Sequence, residues 1–228
     1  TGDNGNYSLG NVRAGDYTIT AEKTGYSLTA DDGTGDITVP AETVVDFTAY
    51  VALVNLFPLN EANFIGVPCY PRDASPDEVF GDDAKVARWD PRAIPPGYVV
   101  AGGAGNQSVV QVQPGRGFFA MFTAASGAQT AASHKTLEIA GRPVGRSSDF
   151  TLSLGPVWNM AANPFAFALP FENIASPVAG AVRPYGFIYD TGTHSYLLIS
   201  SEPGLNVART YVNAWEGLWM RTTAGTTV

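Results

Sequence analysis

Val12-Arg13-Ala14-Gly15-Asp16-Tyr17-Thr18-Ile19-Thr20-Ala21 is the stretch on which the reading of the fold turns. Arg13 to Asp16 has the chemistry of a turn, with Gly beside Asp. From Tyr17 to Ala21 bulky and small polar residues alternate strictly. A period of two sends successive side chains to opposite faces, the signature of a half-buried strand. Outward from it the same texture continues: Tyr7-Ser8-Leu9 before a Gly10-Asn11 step, the Asp31-Asp32-Gly33 turn, Ile37-Thr38-Val39, and Val44-Val45-Asp46-Phe47-Thr48. These predict four short strands on tight turns. Over all 228 residues, 25 Gly and 16 Pro are more than a helical bundle tolerates, while Val, Thr, Tyr and Phe are abundant. The expected class is all-β.

Composition also bounds function. The chain is 45% apolar and 15% charged, which rules out disorder as its general state. A net charge of −8 and only three lysines argue against a nucleic-acid surface, which needs clustered cations. Cys69 is the single cysteine, so no internal disulfide framework or Cys-rich zinc site is available. Thr1 to Asn6 has neither the basic nor the apolar region of a targeting signal. The longest apolar run, Thr48 to Leu59, carries Asn55 and Pro58 and is too short to span a bilayer as a helix. Both ends read as cut, Thr1 to Gly5 as a turn between strands and Leu218 to Thr223 as a strand in progress. The chain is therefore expected to be a piece of something longer.

Residues 1–50 hold eight acids and two bases, so −6 of the −8 lies there and a boundary is expected near Tyr50. Within this segment, Asp3-Asn4-Gly5-Asn6-Tyr7-Ser8-Leu9, then Val12 to Ala21, then Lys23-Thr24-Gly25-Tyr26, resemble the carboxypeptidase regulatory-like domain over residues 1–49. The resemblance implies a small prealbumin-like or immunoglobulin-like β-sandwich that acts as a non-catalytic spacer in bacterial surface and secreted proteins. Such domains begin with about two more strands before the turn at Asp3, so the resemblance implies an incomplete sandwich with an open edge.

The remainder repeats itself. Asn63-Phe64-Ile65-Gly66-Val67-Pro68-Cys69 is echoed by Asn159-Met160-Ala161-Ala162-Asn163-Pro164-Phe165, an offset of 96. Trp89-Asp90 is echoed by Tyr189-Asp190, and Gly117-Phe118-Phe119 by Gly217-Leu218-Trp219, both at an offset of 100. Islands in one order at near-constant spacing predict a duplication. The expected organisation is 1–50, then two related β-sandwich or β-barrel-like repeats at 51–140 and 141–228. The Trp158-Asn159-Met160 and Gly117-Phe118-Phe119 patterns resemble, loosely, repeats of large bacterial extracellular proteins, a likeness that implies no activity.

Candidate chemistry is sparse. His134 and His194 read as loop histidines, and no G-x-S-x-G elbow accompanies them. Cys69, beside Pro68 in an apolar strand, reads as a small buried hydrophobe. The doublets Asp31-Asp32, Asp77-Glu78 and Asp82-Asp83 sit among turn residues, and neighbours on a strand face opposite ways, so none forms a facing glycosidase pair. Asp31, Asp32 and Asp36 put three hard oxygen donors on one glycine-bearing loop, a candidate structural Ca²⁺ site, although Asp and Gly gather in turns for conformational reasons alone. A second loop, Asp3 to Asn6, has similar donors. Asn106 and Asn6 head N-glycosylation triplets.

Eight aromatics stand out: Trp89, Trp158, Trp215, Trp219, Tyr98, Tyr185, Tyr189 and Tyr196. An exposed coplanar row would stack on sugar rings. The placement of Trp89 with Tyr189, and Phe119 with Trp219, at equivalent points of two repeats favours core packing instead. The expected function is a non-catalytic building block of an extracellular or cell-surface assembly, a filament, sheath or surface layer joined by strand addition to itself or to neighbouring domains. The alternative is a carbohydrate-binding or adhesin module of a larger secreted protein, with polysaccharide as partner. No cofactor beyond the Ca²⁺ is called for, and neither nucleic acid nor a membrane span is expected.

Overall fold

A computed structural model describes residues 9–22, 26–31, 33–39, 45–102, 110–123, 133–145, 149–223 and 226–228. The chain is all-β, built of antiparallel sheets with one short α-helix among the described residues. It divides into two compact units, Thr1–Ala52 and Leu53–Val228. No helix among the described residues is long and apolar enough to cross a membrane.

The first unit holds β1 (Gly15–Thr18), β2 (Ser27–Ala30), β3 (Asp36–Val39) and the start of β4 (Phe47–Pro58). β1 pairs with β3, and β2 with residues 47–50 of β4. The strand expected at Tyr17 to Ala21 lies earlier. Its partner β3 begins at Asp36, so the ladder closes at Thr18↔Asp36 and the Ile19 amide donates to the Gly35 carbonyl in the turn at 2.8 Å. Thr18 and Thr38 each donate a hydroxyl to the aspartate facing them, Asp36 (2.6 Å) and Asp16 (2.7 Å), pairs that reinforce the register.

The second unit continues with β5 (Ala62–Gly66), β6 (Cys69–Pro71), α1 (Pro76–Phe80), β7 (Ala84–Asp90), β8 (Gly97–Val100), β9 (Gly117–Phe122) and β10 (His134–Pro143). Then come β11 (Ser153–Leu154), β12 (Val157–Ala162), β13 (Leu169–Pro170), a 3-10 turn at Phe171–Asn173, β14 (Val182–Asp190), β15 (Ser195–Ser200), β16 (Tyr211–Val212), β17 (Gly217–Thr222) and β18 (Thr226–Thr227). Pro at its first turn and Gly81 at its end delimit α1. His134, expected in a loop, opens β10, and Asp77-Glu78, expected in a turn, lies in α1.

Two four-stranded sheets dominate this unit, ordered β5-β9-β7-β8 and β12-β17-β14-β15. Their registers correspond strand for strand. Gly66 faces Gly117 as Ala162 faces Gly217, and Trp89 faces Tyr98 as Tyr189 faces Tyr196. One face of the first sheet packs Ile65, Val86, Phe118, Ala120 and Phe122 on Phe57 of β4, Leu137 and Ile139 of β10, Cys69, and Phe80 of α1. The corresponding face of the second sheet packs Ile188, Ile199, Leu218 and Met220 on Leu154, Phe171 and Val212. Each sheet thus has its own core, covered by different elements.

A buried asparagine anchors the leading strand of each sheet. Asn63 donates its amide to the Pro58 and Glu61 carbonyls, both at 3.0 Å, and Asn159 donates to the Gly155 carbonyl at 3.0 Å while accepting from the Gly155 amide at 2.8 Å. This use explains why Asn recurs at an apolar strand in both repeats: it satisfies turn backbone that burial would otherwise leave unpaired.

Candidate functional site: an aromatic cleft

Strand alternation places a second set of side chains on the faces turned away from the two cores. On β9 and β17, Phe118 and Leu218 point into core, so Phe119 and Trp219 point the other way. On β7, β12 and β14 the same rule presents Trp89, Trp158 and Phe187. These two aromatic faces meet. Trp219 lies 6.1 Å from Trp89 and 5.9 Å from Phe64 of the other sheet. Phe64 stacks on Phe119 at 4.7 Å, Phe119 touches Tyr98 at 6.2 Å, and Tyr98 touches Trp89 at 5.4 Å, closing a circuit of five rings. Phe64 is its buried keystone, 4% exposed.

Glycine makes this approach possible. A Cβ at Gly217 would run into the Phe64 ring, and one at Gly117 into the Ala161 carbonyl. The Gly-aromatic pairs legible in the sequence are therefore one device: the glycine lets the sheets close, and the aromatic two positions on fills the space between them.

Beyond the keystone the faces diverge into an open cleft of about 440 Å³ lined by Trp89, Tyr98, Trp158, Phe187, Tyr196 and Trp219. Trp158 stands against Trp219 at 6.4 Å and 87°, Trp89 against Trp219 at 73°, and Phe187 against Trp158 at 5.9 Å and 55°. Tyr98 and Tyr196, each 50% exposed, occupy equivalent register positions in the two sheets and lie at its mouth. Burial, and secondarily the charge of Tyr196, raises the Tyr98 pKa, so its phenol stays protonated to higher pH than a free tyrosine. Among the described residues that line it, the cleft holds no carboxylate and no histidine; their polar groups are indole N–H donors and two phenols. Arg221, facing Trp158 in the register, lays its guanidinium over that indole, 5.9 Å from the ring centre.

Of the eight aromatics singled out in the sequence, five line the cleft. Trp215 belongs to the first sheet's core, and Tyr185 and Tyr189 extend the ring network through Phe187 and Phe119. The expectation of core packing is thus corrected for Trp89, Trp158 and Trp219, which are half-buried on outward faces. The coplanar row that a flat sugar platform requires is also not what the rings form. Phe187, which also lines the cleft, is not among the eight, although the Tyr185, Phe187, Tyr189 alternation along β14 carries its signal.

The other candidates fall elsewhere. Asp31 accepts from the Thr48 hydroxyl and Asp36 from that of Thr18, both at 2.6 Å. Asp32, Asn6, Asn106 and the Asp3 to Asn6 loop lie outside the described residues. Among the described residues no group of three or more His, Cys, Asp or Glu is placed to hold a metal ion. Cys69 is fully buried, its thiol pushed up to about 12 by desolvation. His194 sits 3.5 Å from Glu61, and His134 bonds Ser133 at 2.7 Å. Comparison with protein-family models, curated proteins and solved structures finds no match for the chain.

Proposed function

We propose that this chain is a non-catalytic module of a larger extracellular protein that holds carbohydrate in the aromatic cleft. The supporting observation is the cleft itself: six aromatic side chains from two sheets gathered around open space, without a carboxylate among them. Such a lining suits the C–H faces of sugars and leaves hydroxyls to water and to the indole and phenol groups at the walls. The low lysine count and the abundance of Gly, Thr and Ala fit an extracellular setting. A spacer of the kind that the regulatory-like resemblance over residues 1–49 implies would suit such a module. Titrating the protein with soluble and insoluble polysaccharides, following tryptophan fluorescence and co-sedimentation, tests the reading. Binding that Trp219→Ala abolishes supports it; failure to bind any saccharide refutes it.

The second reading, a building block of a filament, sheath or surface layer, is favoured by a different surface. Val54 and Leu56 share one face of β4 and are 55% and 58% exposed, an apolar pair that contact with another chain would cover. Negative-stain electron microscopy checks it, with regular filaments or sheets expected and dispersed particles counting against.

A further inference from the structure

The ring geometry narrows the ligand of this cleft, an inference that rests on the carbohydrate reading above. We propose that the cleft takes a single soluble chain of equatorially substituted pyranoses, gluco- or xylo-configured, at one site per polypeptide, and not the surface of a crystalline polysaccharide. Two observations carry this.

The first is the angle between the rings. A crystalline surface is flat and can be gripped only by rings sharing one plane. Here Trp89 and Trp158, from different sheets, stand at 73° and 87° to Trp219, and Phe187 at 55° to Trp158. A sugar entering this space meets aromatic walls on more than one side. An all-equatorial pyranose presents axial C–H bonds on both faces and can meet two walls without burying a hydroxyl against carbon. A manno- or galacto-configured ring carries an axial hydroxyl on one face, and the cleft has few acceptors to receive it.

The second is the imperfect duplication. Ala161 faces Leu218 as Ile65 faces Phe118, and three residues back along each leading strand, hence on the opposite face, the register sets Trp158 opposite Arg221 and Ala62 opposite Met121. Phe187 faces Trp219 as Ala87 faces Phe119. The first repeat therefore has alanines where the second has the Trp158 and Phe187 walls. At that position the turn between β14 and β15 also reaches β5, with the Thr191 hydroxyl donating to the Ala62 carbonyl at 3.3 Å and His194 beside Glu61 at 3.5 Å. Among the described residues the duplicated framework thus walls the cleft on one repeat's side and leaves the equivalent positions of the other as alanine.

The test is isothermal titration of the full 228-residue chain with cello-, xylo-, manno- and galacto-oligosaccharides, alongside co-sedimentation with crystalline cellulose. Cello- or xylo-oligosaccharide is expected to bind with one site per chain, at least about tenfold more tightly than the manno and galacto series, and Phe187→Ala to weaken it by at least about tenfold. Tyr196→Ala, at a position half open to solvent, gives a second variant with little demand on folding and the same expected direction. Two equivalent sites, a preference for axial configurations, or binding confined to crystalline cellulose would overturn this proposal while leaving the carbohydrate reading intact. Absence of binding to every saccharide, soluble or insoluble, would overturn both.

Discussion

Replacing Asn159 by alanine removes the anchor on which the Trp158 wall depends. The side chain is 4% exposed, accepts from the Gly155 amide at 2.8 Å, donates to the Gly155 carbonyl at 3.0 Å, and lies 3.5 Å from the Thr222 hydroxyl. Alanine deletes two good hydrogen bonds, each worth about 1 kcal/mol net. The Gly155 carbonyl keeps the Thr222 hydroxyl at 2.6 Å, but the Gly155 amide loses its acceptor in a buried position, which adds roughly 1–2 kcal/mol. The expected destabilisation is about 2–4 kcal/mol, or roughly 5–15 °C in Tm for a unit of this size. Urea unfolding followed by tryptophan fluorescence measures it. Asn159→Asp separates hydrogen bonding from packing, because its size is unchanged while a carboxylate oxygen faces the Gly155 carbonyl. The introduced carboxyl has its folded pKa raised above the unfolded value near 4, so the folded state binds the extra proton and stability falls as pH rises through that range. This variant is expected to be more stable near pH 4 than near pH 7, relative to wild type at each pH. A loss below about 1 kcal/mol for Asn159→Ala, or a pH-independent penalty for Asn159→Asp, would refute the reasoning.

Gly217→Ala and Gly117→Ala both force the sheets apart, at about 1–3 kcal/mol for Gly217, whose obstacle is the Phe64 ring, and more for Gly117, whose obstacle is backbone; differential scanning calorimetry reports the order. Cys69 is expected to resist aromatic disulfide reagents at pH 8 in the native protein and to react on unfolding. Because its folded pKa, about 12, exceeds the unfolded value, stability is full below about pH 8.5 and declines by about 1.4 kcal/mol per pH unit above it, measurable as a falling urea midpoint. Arg88 is a half-buried cation with long contacts, 3.5 Å to the Trp89 and Met160 carbonyls, and a buried Nε without a partner. Desolvation, with the charge of Arg116 adding to it, lowers its pKa to about 10. Arg88→Met is accordingly expected to cost less than about 1 kcal/mol by the same urea assay.

What the sequence disclosed, and what it withheld, follows from the period-two rule. Alternation identifies a strand and its two faces, yet says which face is core only where the faces differ chemically. In Gly217-Leu218-Trp219-Met220-Arg221, the arginine marks the outward face, so Trp219 can be assigned outward from sequence alone. In Gly117-Phe118-Phe119-Ala120-Met121-Phe122 both faces are apolar, and nothing local tells Phe118, which is buried, from Phe119, which is not. The repeat then misleads: equivalent aromatics suggest a shared core, whereas the two sheets bury their opposite faces separately and turn these toward each other. The asymmetry between Trp158 and Ala62, or Phe187 and Ala87, becomes visible only once the register sets those residues against common partners. An offset of 96 on the leading strand, and of 100 on β9 and β17, is the sequence's record of loops that changed length while the register between sheets stayed fixed. A cleft assembled by such a register is long-range by construction, whereas strands and turns are written within ten residues of themselves. That difference is why the fold class could be read along the chain and the site could not.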